Sequence, residues 1–296
     1  MAYTFVRIPR RFVLGDMDDF LGQVITADFR PRAREIAFNF ADLQFVDGAG
    51  LTVLCNTLAW LAERDVKLGF LGYKECGPAL RYLDDCGFFE TYLGEALNDC
   101  ASCRGTTLPA QKVSHAYSHG WLEYTAAPWL SSKLNTSVRR LATLTVCLKE
   151  MFNNIDEHST EDTGYIHVQH YPNLDKVSIT VSDFGIGIPK SIRRKFSVNS
   201  DAEAIELASR DGITTKQDSE NCGHGLDILV QFVVGRNSGR VSIYSGNGSL
   251  HCTKRGSSVR KSLTSGTGVF PGTLIDITFR TDETLYDEDE EEDLQW

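Results

Sequence analysis

An acidic residue followed by two closely spaced glycines has the composition of a ligand pocket. The motif DFGIGIP begins at Asp183, contains Gly185 and Gly187, and follows a predicted strand. A carboxylate at a strand end can accept a hydrogen bond from an exocyclic amine, and glycines leave room for a flat ring beside the backbone. An ordinary turn that ends the strand is the alternative interpretation.

A second glycine motif leads into a predicted helix. It has the sequence NCGHGL over residues 221–226, so that Gly223, His224, Gly225 and Leu226 precede or begin the helix. Backbone N–H groups converge at a helix N-terminus, which makes such a segment a natural phosphate cradle. A single GxG pattern is weak evidence by itself.

A third feature is a polar stripe formed by Glu150, Asn154 and His158. Each step of four residues advances about 40° around a helix axis, so the three side chains lie along one slanting line. Taken alone, this stripe is typical of a solvated helix face. The order of the three motifs, polar helix, acidic strand end and glycine-rich helix start, strengthens the prediction of a nucleotide site.

Two cysteines and two histidines form a separate candidate metal site. Cys100 and Cys103 are followed by His115 and His119 at close to the ligand spacing of a small zinc site. The intervening residues lack the apolar spacing of a zinc finger and include Pro109. A helix that carries the two histidines and packs between domains is the alternative, and the sequence leaves the choice open.

The elements that position these motifs follow from apolar periodicity. A helix with one buried face is predicted over 136–158 from Val138, Leu141, Leu144, Leu148, Phe152 and Ile155. Further strands are predicted over 165–170, 177–183, 240–245 and 273–279, with a helix over 226–234. Upstream, strands over 35–40, 43–46 and 67–71 alternate with helices near 51–61 and 77–85, which predicts a small α/β domain.

Length and composition favour two domains. The chain has 296 residues, of which 42% are hydrophobic. We expect a first domain over 1–96, a bridging segment over 97–130, a second domain over 131–281 and an acidic tail over 282–296. Residues 287–293 are all acidic, and their mutual repulsion predicts a disordered, solvated tail, with a docking tail for a basic partner as the alternative.

Charge and cysteine usage exclude some functions and suggest a compartment. Thirty basic and forty acidic residues give a formal charge of −10, which disfavours direct nucleic-acid binding. No apolar run approaches the roughly 18 residues that cross a bilayer, so we expect no membrane segment. Eight scattered cysteines and no signal-peptide pattern favour free thiols in the cytoplasm.

The three nucleotide motifs resemble the N, G1 and G2 boxes of the GHKL ATPases, which include histidine kinases, anti-sigma-factor kinases, gyrase and Hsp90. The segments KEMFNNIDEHS, DFGIGIP and GHGLDIL carry the resemblance, which covers roughly residues 130–280. It implies a Bergerat α/β sandwich in which ATP lies between the sheet, the N-box helix and a mobile lid over about 191–222.

The resemblance also implies roles for individual residues. Glu150 would be the catalytic base, and Asn154 would hold the Mg²⁺ that bridges the phosphates, since Mg²⁺ prefers hard oxygen ligands. Asp183 would select adenine, with Gly185 and Gly187 shaping the pocket. Gly223, Gly225 and Leu226 would surround the phosphates, and His158, Lys216, His224 and Thr273 are further nucleotide-binding candidates. For Gly272-Thr273, a simple turn that opens a strand is the alternative.

The N-terminal segment LQFVDGAGLTVLCNTLAWLAERDVKLGFLG resembles the STAS domain of anti-sigma-factor antagonists. In phosphorylatable relatives a serine follows the Asp, whereas here Asp47 is followed by Gly48, so no hydroxyl stands at the acceptor position. Thr52 is the nearest hydroxyl. Phosphorylation in cis at the usual position is therefore excluded, and we expect this domain to be an interaction surface or a structural companion.

Together these features predict an α/β protein of two domains, STAS-like and then GHKL, that binds ATP and Mg²⁺ as a regulatory protein. We expect an ATPase or a serine/threonine protein kinase of the anti-sigma-factor type that acts in partner switching on proteins encoded nearby. The alternative is a nucleotide-gated interaction switch without turnover. A histidine kinase is disfavoured because no His-bearing dimerisation helices are evident upstream, although the relatives imply a homodimer.

Overall fold

The computed structural model describes residues 3–75, 77–113, 115–158, 164–213, 225–283 and 285. Its larger sheet has five antiparallel strands, and a smaller sheet near the N-terminus has three parallel strands. The predicted α/β fold class is confirmed. Within the described residues, no helix is long and apolar enough to cross a membrane.

The N-terminal unit alternates strands and helices. Its elements are β1 (Thr4–Arg7), β2 (Arg11–Phe12), α1 (Met17–Val24), β3 (Glu35–Asn39), β4 (Phe45–Val46), α2 (Gly48–Ala62), β5 (Lys67–Leu71), α3 (Pro78–Asp85) and α4 (Phe88–Leu93). The three-stranded sheet has the order β1-β3-β5, and β2 pairs with β4 in a short parallel ladder. The parallel pairing follows from the helical crossovers between successive strands.

Helix α2 begins where the short strand β4 ends. The side chain of Asp47 accepts a hydrogen bond from the backbone N–H of Gly50 at 2.9 Å, which satisfies one of the free donors of the first turn. Residues 48–58 of α2 are all buried, including the polar side chains of Thr52 and Asn56. A helix that is buried all round lies between two packing partners rather than on the surface.

The second half of the chain forms the larger sheet and its helices. The elements are β6 (Thr107–Val113), α5 (His115–Trp121), α6 (Ala127–Lys133), α7 (Ala142–His158), β7 (Gly164–Tyr171), β8 (Lys176–Asp183), α8 (Ile188–Ile192), α9 (Asp201–Ala208), α10 (Gly225–Val230), β9 (Arg240–Arg255) and β10 (Ser258–Arg280). Strand order is β6-β7-β8-β10-β9. Strand β6 lies in the segment 97–130 that we interpreted as a bridge, and it forms an edge of this sheet.

The two faces of the larger sheet have different partners. On one face, Val177, Ile179 and Val181 of β8 belong to a core that also contains Leu148 and Phe152 of α7. The opposite face contacts α2, and the second core joins N-terminal apolar residues to residues of the larger sheet. Those residues are Phe270 and Leu274 of β10, together with Phe184, which directly follows β8. The N-terminal unit and the larger sheet therefore share one continuous apolar core.

Several predicted boundaries change in the structure. Helix α7 starts at Ala142 rather than residue 136, because a short 3₁₀ turn over Arg139–Leu141 precedes it. Val138 is 46% exposed, so its place in the buried stripe was wrong, whereas the other five stripe residues are buried. Strands β9 and β10 form a hairpin much longer than the predicted 240–245 and 273–279.

The region predicted as a lid contains a packed helix in its described part. Ser200 caps α9 by accepting a hydrogen bond from the backbone N–H of Glu203. Asp201 pairs with Arg193 at 2.6 Å and accepts a hydrogen bond from the backbone N–H of Asn247 on β9 at 2.7 Å. Residues 191–213 are thus tied to the hairpin, and residues 214–222 of the predicted lid lie outside the described residues, as does most of the acidic tail.

Candidate nucleotide site

Asp183 is the last residue of β8 and lies at the edge of the face that packs on α7. Side chains alternate along a strand, so Asp183 shares its face with Val181 and Ile179 of the helix-covered core. Its Oδ1 accepts a hydrogen bond from the backbone N–H of Gly185 at 2.7 Å. Burial raises the pKa of the carboxyl to about 7, although hydrogen bonds from the Gly185 and Thr273 backbones oppose the rise.

Two glycines with positive φ lie in this region, Gly272 beside the carboxylate and Gly187 beside Gly272 and Ser245. Gly272 has φ +75°, and a Cβ built there would lie 2.6 Å from both Asp183 Oδ1 and Gly185 N. Gly187 has φ +76°, and its Cβ would lie 2.9 Å from Ser245 Oγ. Both positions require glycine for conformation and for space. The predicted pocket glycine Gly187 therefore has a steric reason at this place in the fold.

Ser245 is a part of this region that sequence analysis missed. Its hydroxyl donates a hydrogen bond to the carbonyl of Gly272 at 2.5 Å and accepts one from the backbone N–H of Ile188 at 2.9 Å. It is fully buried and is paired with Thr273, which itself lies opposite Asp183. Only the strand register brings Thr273 and Ser245 to Asp183, so no local sequence signal could identify Ser245.

Glu150 and Gly225 meet where α7 packs beside α10. A Cβ added to Gly225 would overlap the Glu150 carboxylate, so the carboxylate occupies the space that any other residue at 225 would need. Both residues are partly exposed. Leu226 packs against the core beneath them. The structure thus brings together the predicted base and the first helical residue of the predicted phosphate segment.

The remaining residues of the polar stripe follow Glu150 along α7. Asn154 is exposed and lies one turn after Glu150, whereas its neighbour Asn153 pairs with His119 Nε2 at 3.1 Å. His158 ends the helix, and its side chain is outside the described part of the structure. Lys216, Gly223 and His224 also lie outside the described residues. Their roles stay predictions.

The cysteine and histidine pattern has other partners where it is described. The Cys103 thiol donates to the carbonyl of Thr107 at 3.2 Å, and His119 pairs with Asn153. Cys100 is exposed, and the side chain of His115 is outside the described residues. Among the side chains that the structure describes, no group of three or more His, Cys, Asp or Glu residues has a geometry that would hold a metal ion.

The arrangement provides two chemically distinct ends. At the end of β8, a carboxylate beside glycine backbone can accept a hydrogen bond from a flat, amine-bearing ring. At the start of α10, backbone N–H groups favour phosphate, and the Glu150 carboxylate occupies the space beside the Cα of Gly225. The helical layer of α7 and α10 covers the sheet face to which Asp183 belongs.

Comparison with known families supports this interpretation for the second half of the chain. Residues 141–268 match the family described as histidine kinase-, DNA gyrase B-, and HSP90-like ATPase. No curated protein matched the chain. The match includes Glu150, Asp183 and Gly225, confirms the GHKL resemblance over that range and implies ATP binding there. It stops before Thr273 and does not reach the N-terminal unit, so the STAS-like interpretation stays a prediction.

Proposed function

We propose that the chain binds ATP with Mg²⁺ between α7, the end of β8 and the start of α10. Asp183 reads the adenine amine, and the segment that leads into Gly225 surrounds the phosphates. Asn154 is exposed and lies one helical turn from Glu150, and its amide oxygen is the kind of hard ligand that Mg²⁺ prefers, so this residue fits the ion. Bound Mg²⁺ would neutralise charge on the β- and γ-phosphates.

We propose that bound ATP is turned over, and the observation that supports this is the position of Glu150. Its carboxylate lies against Gly225, at the helix start where the phosphates are expected. A carboxylate there can accept the proton of a water or a hydroxyl as that oxygen attacks the γ-phosphorus. The bond from the γ-phosphorus to the bridging oxygen breaks, and ADP leaves with that electron pair. The products are ADP and either phosphate or a phosphorylated acceptor.

The acceptor in the kinase version of this reaction belongs to a separate protein. Gly48 carries no hydroxyl, and it packs on the sheet face opposite the α7 layer, beside His167 and Thr180. Thr52 is fully buried and donates to the carbonyl of Ala49 at 3.1 Å, so its hydroxyl is sealed as well. We therefore propose that the N-terminal unit is a companion of the ATPase and not its substrate.

A turnover assay with γ-labelled ATP tests this function. Wild-type protein is compared with Glu150→Gln and with Glu123→Gln, a matched change at a carboxylate that pairs with Lys149 on the exposed side of α7. We expect Glu150→Gln to lower turnover at least 100-fold while calorimetric ATP affinity changes less than threefold. Glu123→Gln should behave as wild type.

The pattern of label distinguishes the versions of the proposal. Label on a serine or threonine of an added partner protein identifies a kinase in a partner-switching pathway, and label released as phosphate identifies an ATPase. Tight ATP binding without turnover in the wild type would refute the catalytic role of Glu150 and would favour the nucleotide-gated switch. Absence of ATP binding would refute the proposed function altogether.

A further inference from the structure

Helix α2 of the N-terminal unit holds the strand end that carries Asp183. The side-chain amide of Asn56 donates a hydrogen bond to the Ser182 hydroxyl. One turn later, the ring of Trp60 contacts the ring of Phe184, with centroids 6.4 Å apart at 70°. The two residues immediately before and after Asp183 are therefore both fixed by α2.

Strand alternation separates these contacts from the nucleotide side. Ser182 is fully buried and faces α2, and Phe184 is 7% exposed and belongs to the N-terminal core. Asp183 points to the other face, with Val181. Because β8 ends at Asp183, no further ladder hydrogen bonds of β8 fix the backbone beyond it. The contacts with α2 supply this constraint from behind the sheet.

The same aromatic contact extends to the wall of the pocket. Phe184 packs edge-on against Phe270, with ring centroids 5.8 Å apart. Phe270 lies at a bulge of β10, two residues before Gly272, whose backbone approaches Asp183 too closely for a Cβ. A rotation of Trp60 would therefore be transmitted to both sides of the carboxylate.

Burial of the Asn56 amide lowers the stability of the fold, and packing alone gives no reason for an amide at this position. The amide is fully buried, and within the described residues its Oδ1 has no hydrogen-bond partner. An apolar residue of similar size would avoid that cost; the buried Thr52 and Thr57 of the same helix differ, because their hydroxyls bond to backbone carbonyls of α2 itself. Among the described residues, the amide donates its hydrogen bond to Ser182, the residue next to Asp183, which suggests that this bond serves the site.

We propose that Asn56 and Trp60 are positioning residues for adenine recognition by Asp183. The inference rests on the proposed ATP site. It gives the N-terminal unit a role in nucleotide selectivity, because α2 contacts Ser182 and Phe184 on the sheet face opposite the nucleotide.

The test compares ATP with purine riboside triphosphate, which lacks the 6-amino group. Calorimetry gives the affinity ratio of the two nucleotides for wild type, Asn56→Leu, Trp60→Leu and Ser182→Ala. The control is Tyr82→Phe, which removes hydrogen bonds from α3 to His167 and Gln169 at the same interface, away from the β8 end. We expect the preference for ATP to fall about tenfold in the three variants, as a weakened amine–carboxylate contact predicts, and to persist in the control.

Each outcome has a distinct meaning. A merely structural role predicts equal loss of both affinities, or the same change in Tyr82→Phe, and either result would overturn the proposal. An unchanged ratio in folded variants would overturn the positioning role and leave the ATP site standing. If the wild type binds neither nucleotide, or binds both equally, the proposed role of Asp183 fails and this inference with it. If Asn56→Leu does not fold, the test uses Ser182→Ala, the smallest change, which removes the same hydrogen bond.

Discussion

Replacement of Gly48 by alanine tests whether the N-terminal unit is docked on the sheet as described. A Cβ at this position would lie 2.8 Å from His167 Nδ1 and 3.1 Å from Thr180 Oγ1, where ordinary contact begins at 3.4 Å. Both neighbours project from interior strands of the larger sheet, so neither can move far without disturbing the ladder. Gly48→Ala therefore forces the interface apart by several tenths of an ångström.

The expected cost follows from overpacking. Extra methyl groups in a well-packed core cost about 1–3 kcal/mol, and an approach below 3.0 Å places Gly48→Ala in the upper part of that range, at about 2–3 kcal/mol. The better helix propensity of alanine offsets about 1 kcal/mol of this cost. We expect a net loss of about 1–2 kcal/mol in the free energy of unfolding. With a urea m-value of about 3 kcal/mol/M, the unfolding midpoint would fall by about 0.3–0.7 M.

Urea denaturation followed by circular dichroism measures this shift, and Gly22→Ala provides the matched control. Gly22 lies in α1, and a Cβ there would meet no heavy atom within 4 Å. Alanine at that position should leave the protein unchanged or stabilise it by up to about 1 kcal/mol. If Gly48→Ala were as stable as Gly22→Ala, α2 would not pack on β7 and β8 as described, and the burial of Gly48 against His167 and Thr180 would be refuted.

Three further predictions concern the site and the interface. Gly225→Ala should displace the flexible Glu150 carboxylate and lower ATP turnover at least tenfold with little change in thermal unfolding, as phosphate release and calorimetry would show. Asp183→Asn should stabilise the nucleotide-free protein at pH 8 by up to about 4 kcal/mol. Because the pKa of Asp183 is about 7 in the folded protein and about 4 in the unfolded chain, the wild type loses stability as the pH rises from about 4 to 7. Urea titrations over pH 5–8 should show a flatter profile in the variant. His167 is fully buried, and desolvation lowers its pKa to about 3, so the free energy of unfolding of the wild type declines as the pH falls below 6.5. His167→Gln should remove about 2 kcal/mol of this decline between pH 6.5 and 5, as measured by urea titrations.

The sequence predicted correctly those elements whose hydrophobic pattern and bounding residues lie within a short stretch of the chain. Strand β5 was predicted with its observed bounds, because an apolar run bounded by Asp65 and Gly72 leaves few alternatives. The buried stripe of α7 followed from its period, apart from Val138, which precedes the helix. The DFGIGIP motif gave both a carboxylate and the glycine at position 187 that a positive φ requires.

The limits of the sequence appear where distant segments meet. Strands β9 and β10 are longer than their apolar cores because backbone pairing extends the hairpin through polar residues such as Ser258 and Lys261, which carry no strand pattern. Ser245 joins the site only through the register of β9, β10 and β8. Neither feature has a signature within a window of ten residues.

The sequence by itself determined which chemical groups are present and in what order: a polar helix stripe, an acidic strand end, a glycine-rich helix start, and a glycine without a hydroxyl at position 48. These depend on residue type and short spacing alone. The tertiary structure decided that α2 covers the back of the larger sheet and contacts the residues on either side of Asp183. That arrangement arises from burial of one shared apolar core by two distant segments, and such long-range packing leaves no local trace in the chain.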